Sequence, residues 1–215
     1  MKQLILLFVI VSLFCTSCMS LSVFNDPNDF SRMDGRLYLK NGDSLAGKLT
    51  IDEGFSGTTI KIYLDGEKKP MQFKTTDVMG YAISNNYYFL KKLNGGLFAG
   101  KEYAFMKRIS PPQSRIHLYE YKEKIKSSKG STVRHEILYC LQIPNEPADI
   151  VWPLNSSRFV PDFEEKMSTL LQDCPSLSQK ISAKQQGYFY PQVMMFKKNR
   201  AEVLLHIIEE YNSCQ

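Results

Sequence analysis

The sequence predicts an α+β protein: an antiparallel β meander, barrel- or sandwich-like, followed by a small C-terminal helical segment. Three observations lead there. Between residues 35 and 143, short apolar–polar alternations are separated by Asn-Gly, Asp-Gly and Asn-Asn steps, the pattern of strands joined by tight turns. Pro144, Pro147, Pro153 and Pro161 then interrupt any regular element, because proline fixes φ and removes a backbone donor. From residue 162 onward apolar residues recur at intervals of three and four, as on a helix with one buried face.

Residues 1–17 precede the domain and read as a signal peptide. Lys2 gives a positive start, and Leu4 to Phe14 is an apolar run interrupted only by Ser12. A run this short cannot cross roughly 30 Å of hydrocarbon, which takes about 20 helical residues, but it suits the apolar region of an export signal. Thr16 and Ser17 then precede Cys18. The segment resembles a bacterial lipoprotein signal, in which small residues precede a cysteine that receives lipid on its sulfur, although Cys15 stands where leucine is usual. The resemblance implies lipidation of Cys18. An ordinary cleaved signal, whose small-residue rule Cys15 and Ser17 meet, would be cut at the same bond. Each buried acyl CH₂ contributes about 0.8 kcal/mol, so a multiply acylated cysteine anchors stably. The membrane is thus the expected partner, through the lipid.

Residues 18–34 contain Asn25-Asp26-Pro27-Asn28-Asp29 and show neither periodicity, which predicts a lipidated tether. No acidic cluster directly follows Cys18, unlike the surface-export signals of some Bacteroidetes lipoproteins, so an outer-membrane, periplasm-facing location is expected.

The β-domain is expected over residues 35–143. Leu37 and Leu39, then Asn41-Gly42-Asp43, then Leu45, Gly47 and Leu49 form a hairpin pattern, with the glycine supplying positive φ. Thr59 to Leu64 turns at Asp65-Gly66 into Met71, Phe73 and Thr75. Tyr81 to Ser84 turns at Asn85-Asn86 into Tyr87 to Leu90, and Asn94-Gly95-Gly96 precedes Tyr103 to Met106. Ile116 to Lys126 and Thr132 to Ile143 flank Ser127-Ser128-Lys129-Gly130; pairing through that turn would bring Glu123 near Arg134, a charge pair that helps fix register. Eight or nine short antiparallel strands are expected.

Residues 144–161 form a Pro-rich crossing segment, pinned to the β-domain by Trp152. Residues 162–215 hold the C-terminal helices. Asp162-x-x-Glu165 has the spacing of a capping box, followed by Phe163, Met167, Leu170, Leu171 and Cys174 on one face. Ser176-x-x-Gln179 is read as the cap of a short helix with Leu177 and Ile181. Asn199-x-x-Glu202 is read as opening a last helix with Leu204, Ile207, Ile208 and Tyr211.

Composition narrows the function. Removing 17 of 215 residues leaves 198, enough for one medium domain or two small ones; 43% hydrophobic and 23% charged residues are ordinary for a globular chain. The net charge of +5, or +4 without Lys2, is mild, and no nucleic-acid-binding motif is present. In an oxidising compartment Cys140, Cys174 and Cys214 need separate accounts. Cys140 lies in an apolar strand pattern and reads as a small buried hydrophobe. Cys174 and Cys214 each end a helical pattern, so a disulfide between them is expected, closing a loop of about 40 residues worth roughly 4 kcal/mol; the alternative is two free thiols near helix ends.

His117, His135 and His206 have no partners at metal-ligand spacing. In the chain from Cys18 onward neither a Gly-x-Ser-x-Gly elbow nor a Cys-x-x-Cys pair occurs, so no catalytic residue, metal or cofactor is assigned. Lys122, Lys124, Lys126 and Lys129 crowd the tip of the longest hairpin, and Lys197, Lys198 and Arg200 precede the last helix. Either cluster could touch an anionic surface at about 1 kcal/mol per charge; a solvated tip that discourages edge pairing is the plainer reading. Tyr87-Tyr88-Phe89 and Tyr188-Phe189-Tyr190 could form aromatic platforms, but core packing is the commoner use of such runs.

Leu39 to Leu49, with its Gly42-Asp43-Ser44-x-x-Gly47 hairpin, and Asp77-Val78-Met79-Gly80-Tyr81 resemble an uncharacterised Bacteroidetes envelope lipoprotein family. Phe163 to Asp173-Cys174-Pro175 and the terminal Tyr211-Asn212-x-Cys214 resemble that family's tails. The resemblance implies a location and a layout, and no reaction. The expected role is therefore non-enzymatic binding or scaffolding in the bacterial envelope, with another envelope protein as partner. A secreted hydrolase acting on glycan, lipid or peptide, with His117 or His135 beside a carboxylate, is the first alternative. A small-ligand binder using a barrel cavity is the second.

Overall fold

The computed structural model describes residues 29–54, 57–94, 102–126, 133–190 and 197–214. The signal peptide, Cys18, the tether as far as residue 28, and the hairpin tip with Lys129 lie outside the described residues. Ten strands follow in order: β1 (Asp29–Leu39), β2 (Ser44–Gly54), β3 (Gly57–Tyr63), β4 (Met71–Phe73), β5 (Val78–Ile83), β6 (Asn86–Leu93), β7 (Tyr103–Arg108), β8 (His117–Lys126), β9 (Val133–Gln142) and β10 (Ile150–Pro153). Helices α1 (Phe163–Leu170), α2 (Pro175–Ser182) and α3 (Lys197–Ser213) complete the chain. The α+β expectation holds.

The strands run β10-β9-β8-β7-β6-β5-β1-β2-β3-β4, and β10 also pairs with β6. That extra pairing, parallel at Ile150↔Lys92 and Val151↔Leu93, closes β6 to β10 into a five-stranded barrel. β10 lies inside the Pro-rich segment, where its proline sits at the strand's last position and withholds little from the ladder. Strands β1 to β5 extend the sheet beyond the barrel.

Alternation sorts the side chains into three cores. The barrel interior holds Leu93, Ala104, Met106, Tyr119, Tyr121, Cys140 and Val151. The extension buries Leu37, Leu49, Ile51, Ile60, Ile62, Val78 and Tyr81, with Tyr81 stacked on Tyr88 at 4.7 Å. The helices cover Ile116, Leu118, Leu141 and Ile143 with Phe163, Met167, Leu171, Leu177, Ile181, Leu204, Ile207, Ile208 and Tyr211. Burying each aliphatic or aromatic side chain contributes about 1.5–3 kcal/mol, which is why the helical faces read from spacing are the faces found buried.

Several expectations are corrected. Residues 29–34, expected in the tether, belong to strand β1, which begins at Asp29. A bulge between Phe30 and Met33, with Arg32 at φ 50°, hides the alternation there and turns both Phe30 and Met33 to the core. The β8–β9 register places Glu123 opposite Glu136 and Arg134 opposite Ile125, so Glu123 and Arg134 occupy diagonal and not facing positions. Asp162 makes no side-chain cap; its φ of 65° removes it from the extended conformation a capping box needs. α2 begins at Pro175 with Cys174 in the cap position, so Ser176 lies inside the first turn, where proline's missing N–H costs nothing. α3 begins at Lys197, which puts Asn199 within it.

The Gly-Asp-Ser-x-x-Gly hairpin has a backbone explanation. Gly42 sits at φ 94°, its N–H donating to Leu39 O at 3.1 Å, in the left-handed conformation that closes a type I turn at a bulge. A Cβ at Gly47 would run into the Tyr63 carbonyl oxygen of the neighbouring strand. The second half of the motif is tied to the first: Lys40 N–H donates to Asp77 O at 3.0 Å.

Candidate functional site

One end of the barrel gathers three basic groups. Phe89, Lys91 and Leu93 alternate on β6 and so share the inner face, which places a lysine inside the barrel. Lys91 is only 6% exposed. Its Nζ donates to Gln142 Oε1 at 3.1 Å and to the Ala148 carbonyl at 2.5 Å, and lies 4.7 Å from the Tyr119 ring centre. Burial lowers its pKa to about 8, Asp149 opposing and Arg108 assisting. Tyr119, directly across the ladder from Arg108, donates its hydroxyl to Gln142 Oε1 at 3.1 Å, so Gln142 accepts from both.

Arg108 and His117 stand at the same rim. The Arg108 guanidinium lies 4.9 Å from the Phe89 ring centre and 5.9 Å from that of Tyr87. His117 Nδ1 is 3.3 Å from Ser110 Oγ, and that hydroxyl also accepts from Leu118 N–H at 3.0 Å. Partial burial holds the His117 pKa below the usual imidazole value, and the charges on Arg108 and Lys91 push it down further. No carboxylate forms an ion pair with any of these three groups among the described residues.

A second cluster lies in the helical layer. Tyr188 donates its hydroxyl to Glu210 Oε2 and stands 3.3 Å from His206 Nε2. Lys180 Nζ donates to Glu210 Oε1 at 2.8 Å. Burial works to raise the Glu210 carboxyl, but Lys180 and Tyr188 outweigh it and hold the group below its ordinary range. Its bond to Glu210 raises Tyr188, and the same carboxylate raises Lys180. Each group is driven deeper into its resting ionisation state, the opposite of what a general acid, base or nucleophile at neutral pH needs.

The third cluster explains the tail motifs. Cys174 and Cys214 lie within disulfide distance, with their Cα atoms 5.8 Å apart. Beside them Arg115 donates to Asp173 Oδ2 at 2.6 Å and to the carbonyls of Tyr211 and Cys214 at 3.4 and 3.3 Å. The Tyr211 hydroxyl donates to Asp173 Oδ2 at 2.8 Å. Arg115 N–H donates to Asn212 Oδ1 at 2.8 Å, and Asn212 Nδ2 donates to Ser114 Oγ at 3.2 Å. Asp173, Cys174, Tyr211, Asn212 and Cys214 thus form one clamp joining the β7–β8 loop, the α1–α2 turn and the chain's end.

The remaining sequence-predicted residues are dispersed. Cys140 is a buried free thiol, its pKa raised by burial. Lys122 is half-buried opposite Ile137; Lys124 and Lys126 occupy strand positions opposite His135 and Val133. Tyr88 is buried while Tyr87 is 44% exposed, and Tyr188 and Tyr190 are both buried, so most of these rings belong to cores. Trp152 is pinned through Nε1–H to Glu146 Oε2 at 2.6 Å. A small pocket of about 70 Å³ is lined by Glu136, Tyr139, Leu154 and Arg200. No group of three or more metal-ligating side chains occurs among the described residues, and no described helix is long and apolar enough to cross a membrane.

Of His117 and His206, the histidine whose charge acts on a carboxylate is His206, on Glu210. Sequence reasoning also missed the rim of basic groups. The signal was present in the alternation of Phe89, Lys91 and Leu93, which sets one lysine among inward positions. No protein-family model matches the chain, and neither a curated protein nor a solved structure matches it.

Proposed function

We propose that this protein is a lipid-anchored component of a bacterial envelope, attached to the outer membrane through Cys18 and facing the periplasm, with a non-enzymatic role in binding or scaffolding another envelope protein. The observation that carries the reading is the Cys174–Cys214 pair at disulfide distance in a chain that opens with an export-type apolar segment ending at Cys18. Structural disulfides persist in oxidising compartments and are rare in the bacterial cytosol. The likeness of the hairpin and the tails to an envelope lipoprotein family points the same way.

The residue geometry supports a scaffold over a reaction. The tail motifs are spent on the Arg115 clamp, and the hairpin glycines on backbone shape. Met106, Tyr119, Tyr121, Cys140 and Val151 are buried together in the barrel, which favours a scaffold over a cavity binder. The Tyr188–Glu210–Lys180 cluster is held in its resting ionisation state. Mild crosslinking in the native host, followed by purification of the full-length protein, tests the role. Reproducible enrichment of one envelope protein is expected, and recovery of the uncrosslinked chain alone would count against it.

A further inference from the structure

We propose that the rim of the barrel formed by Lys91, Arg108 and His117 is a binding site for a phosphate group. This rests on the arrangement of donors and is independent of whether Cys18 carries lipid. Arg108 touches only ring faces, Phe89 and Tyr87, and no hydrogen-bond acceptor meets its guanidinium among the described residues. His117 engages Ser110 through Nδ1, which leaves Nε2 for a ligand. Lys91 has three N–H donors and directs two of them to Gln142 and Ala148.

The three groups are held close by shared rings. Phe89 lies under both cations, its centre 5.8 Å from Lys91 Nζ and 4.9 Å from Arg108 Cζ. Tyr119 lies 4.7 Å from Lys91 Nζ and 6.3 Å, ring to ring, from His117. Mutual repulsion among cations in a partly dry site is strong because the effective dielectric is low. An anion there replaces repulsion with charge-assisted hydrogen bonds. A tetrahedral phosphate fits better than a carboxylate, because it presents separate oxygens to a guanidinium fork, an ammonium and an imidazole arriving from β6, β7 and β8. The exposure of Tyr87 leaves the rim open on the Arg108 side.

The charged groups facing this rim set its pH dependence. Asp149 acts on Lys91 from the β9–β10 loop, and Arg108 and Lys91 act on His117. Bound phosphate favours protonated His117, so binding of a phosphodiester headgroup, whose own charge does not change in this range, strengthens as pH falls toward 6.

The test is a titration of full-length protein in phosphate-free maltoside detergent, followed through ¹⁵N-labelled histidines. One arm adds inorganic phosphate at constant ionic strength; the other adds bicelles containing phosphatidylglycerol. The expected result is a saturable shift of the His117 resonances, with its pKa raised by about one unit by the nearby negative charge. Affinity should fall at least tenfold in Arg108→Gln. A response to inorganic phosphate identifies a free phosphate, and a response only to the bicelles identifies a lipid headgroup. No saturable shift in either arm, or equal affinity in Arg108→Gln, overturns the proposal. If Arg108→Gln fails to fold, calorimetry on His117→Gln gives the same reading.

Discussion

The Arg115 guanidinium lies 4.0 Å from the centre of the Tyr211 ring, while the Tyr211 hydroxyl and Arg115 Nη2 both donate to Asp173. One side chain is thus stacked on the last helix and bonded to the turn that carries Cys174. Residues 96 positions apart are locked, so the C-terminus is fastened to the barrel's own loop.

This lock gives a graded prediction. Tyr211→Phe keeps the ring and loses the hydroxyl, and should cost about 1 kcal/mol, the usual net value of such a bond. Arg115→Ala loses the stack and several hydrogen bonds at once and should cost more, about 2 kcal/mol. Urea denaturation checks both. The Tyr211 hydroxyl, assisted by Arg115, holds the Asp173 carboxyl below its ordinary range. A carboxyl lowered in the folded state stabilises above its unfolded pKa of about 4, and that contribution disappears as pH falls through the folded value. The acid limb of the wild-type stability curve should therefore be steeper than that of Tyr211→Phe.

Reduction of the cysteine pair should loosen the same region. The pair spans 40 residues, and releasing a loop of that size removes roughly 4 kcal/mol in the chain-entropy model. Thermal melts of oxidised protein should show a higher Tm than melts in reductant. In the Cys174→Ser, Cys214→Ser double variant, reductant should make no difference.

The buried lysine predicts a rise in stability toward alkaline pH. Lys91 titrates at about 8 when folded against an ordinary value of 10.5. Between those values the unfolded chain binds more protons than the folded one, so stability increases with pH, by up to about 3 kcal/mol across the full window. Burial raises Tyr88 and Tyr211 to about 12, which opposes the rise above pH 10. The comparison therefore belongs between pH 8 and 9.5. Lys91→Met should give a flatter curve there than the wild type.

Gly47→Ala should destabilise the hairpin by about 1–3 kcal/mol, because the added methyl meets the Tyr63 carbonyl and the strands must separate to admit it. Hydrogen exchange should show the loss in β2 and β3 first, leaving the barrel protected.

What the sequence revealed depended on whether the physical cause was local. The helical faces around Met167, Ile181 and Ile207 were legible because burial follows helix spacing directly. The hairpin at Gly42 was legible because its backbone requirement is encoded in one residue. The start of β1 has no legible alternation because a bulge at Arg32 shifts the register between Phe30 and Met33. The closing β10–β6 pair is a contact between distant segments, and nothing local marks it. Lys91 and Arg108 meet only because the barrel closes, so their proximity had no signature beyond the inward parity of Lys91.

The most direct test of the account is the intact mass of protein extracted from native membranes. The expected mass is that of a chain beginning at Cys18 plus covalently bound acyl groups, lost on delipidation. A chain still beginning at Met1, or one with an unmodified Cys18, would contradict it.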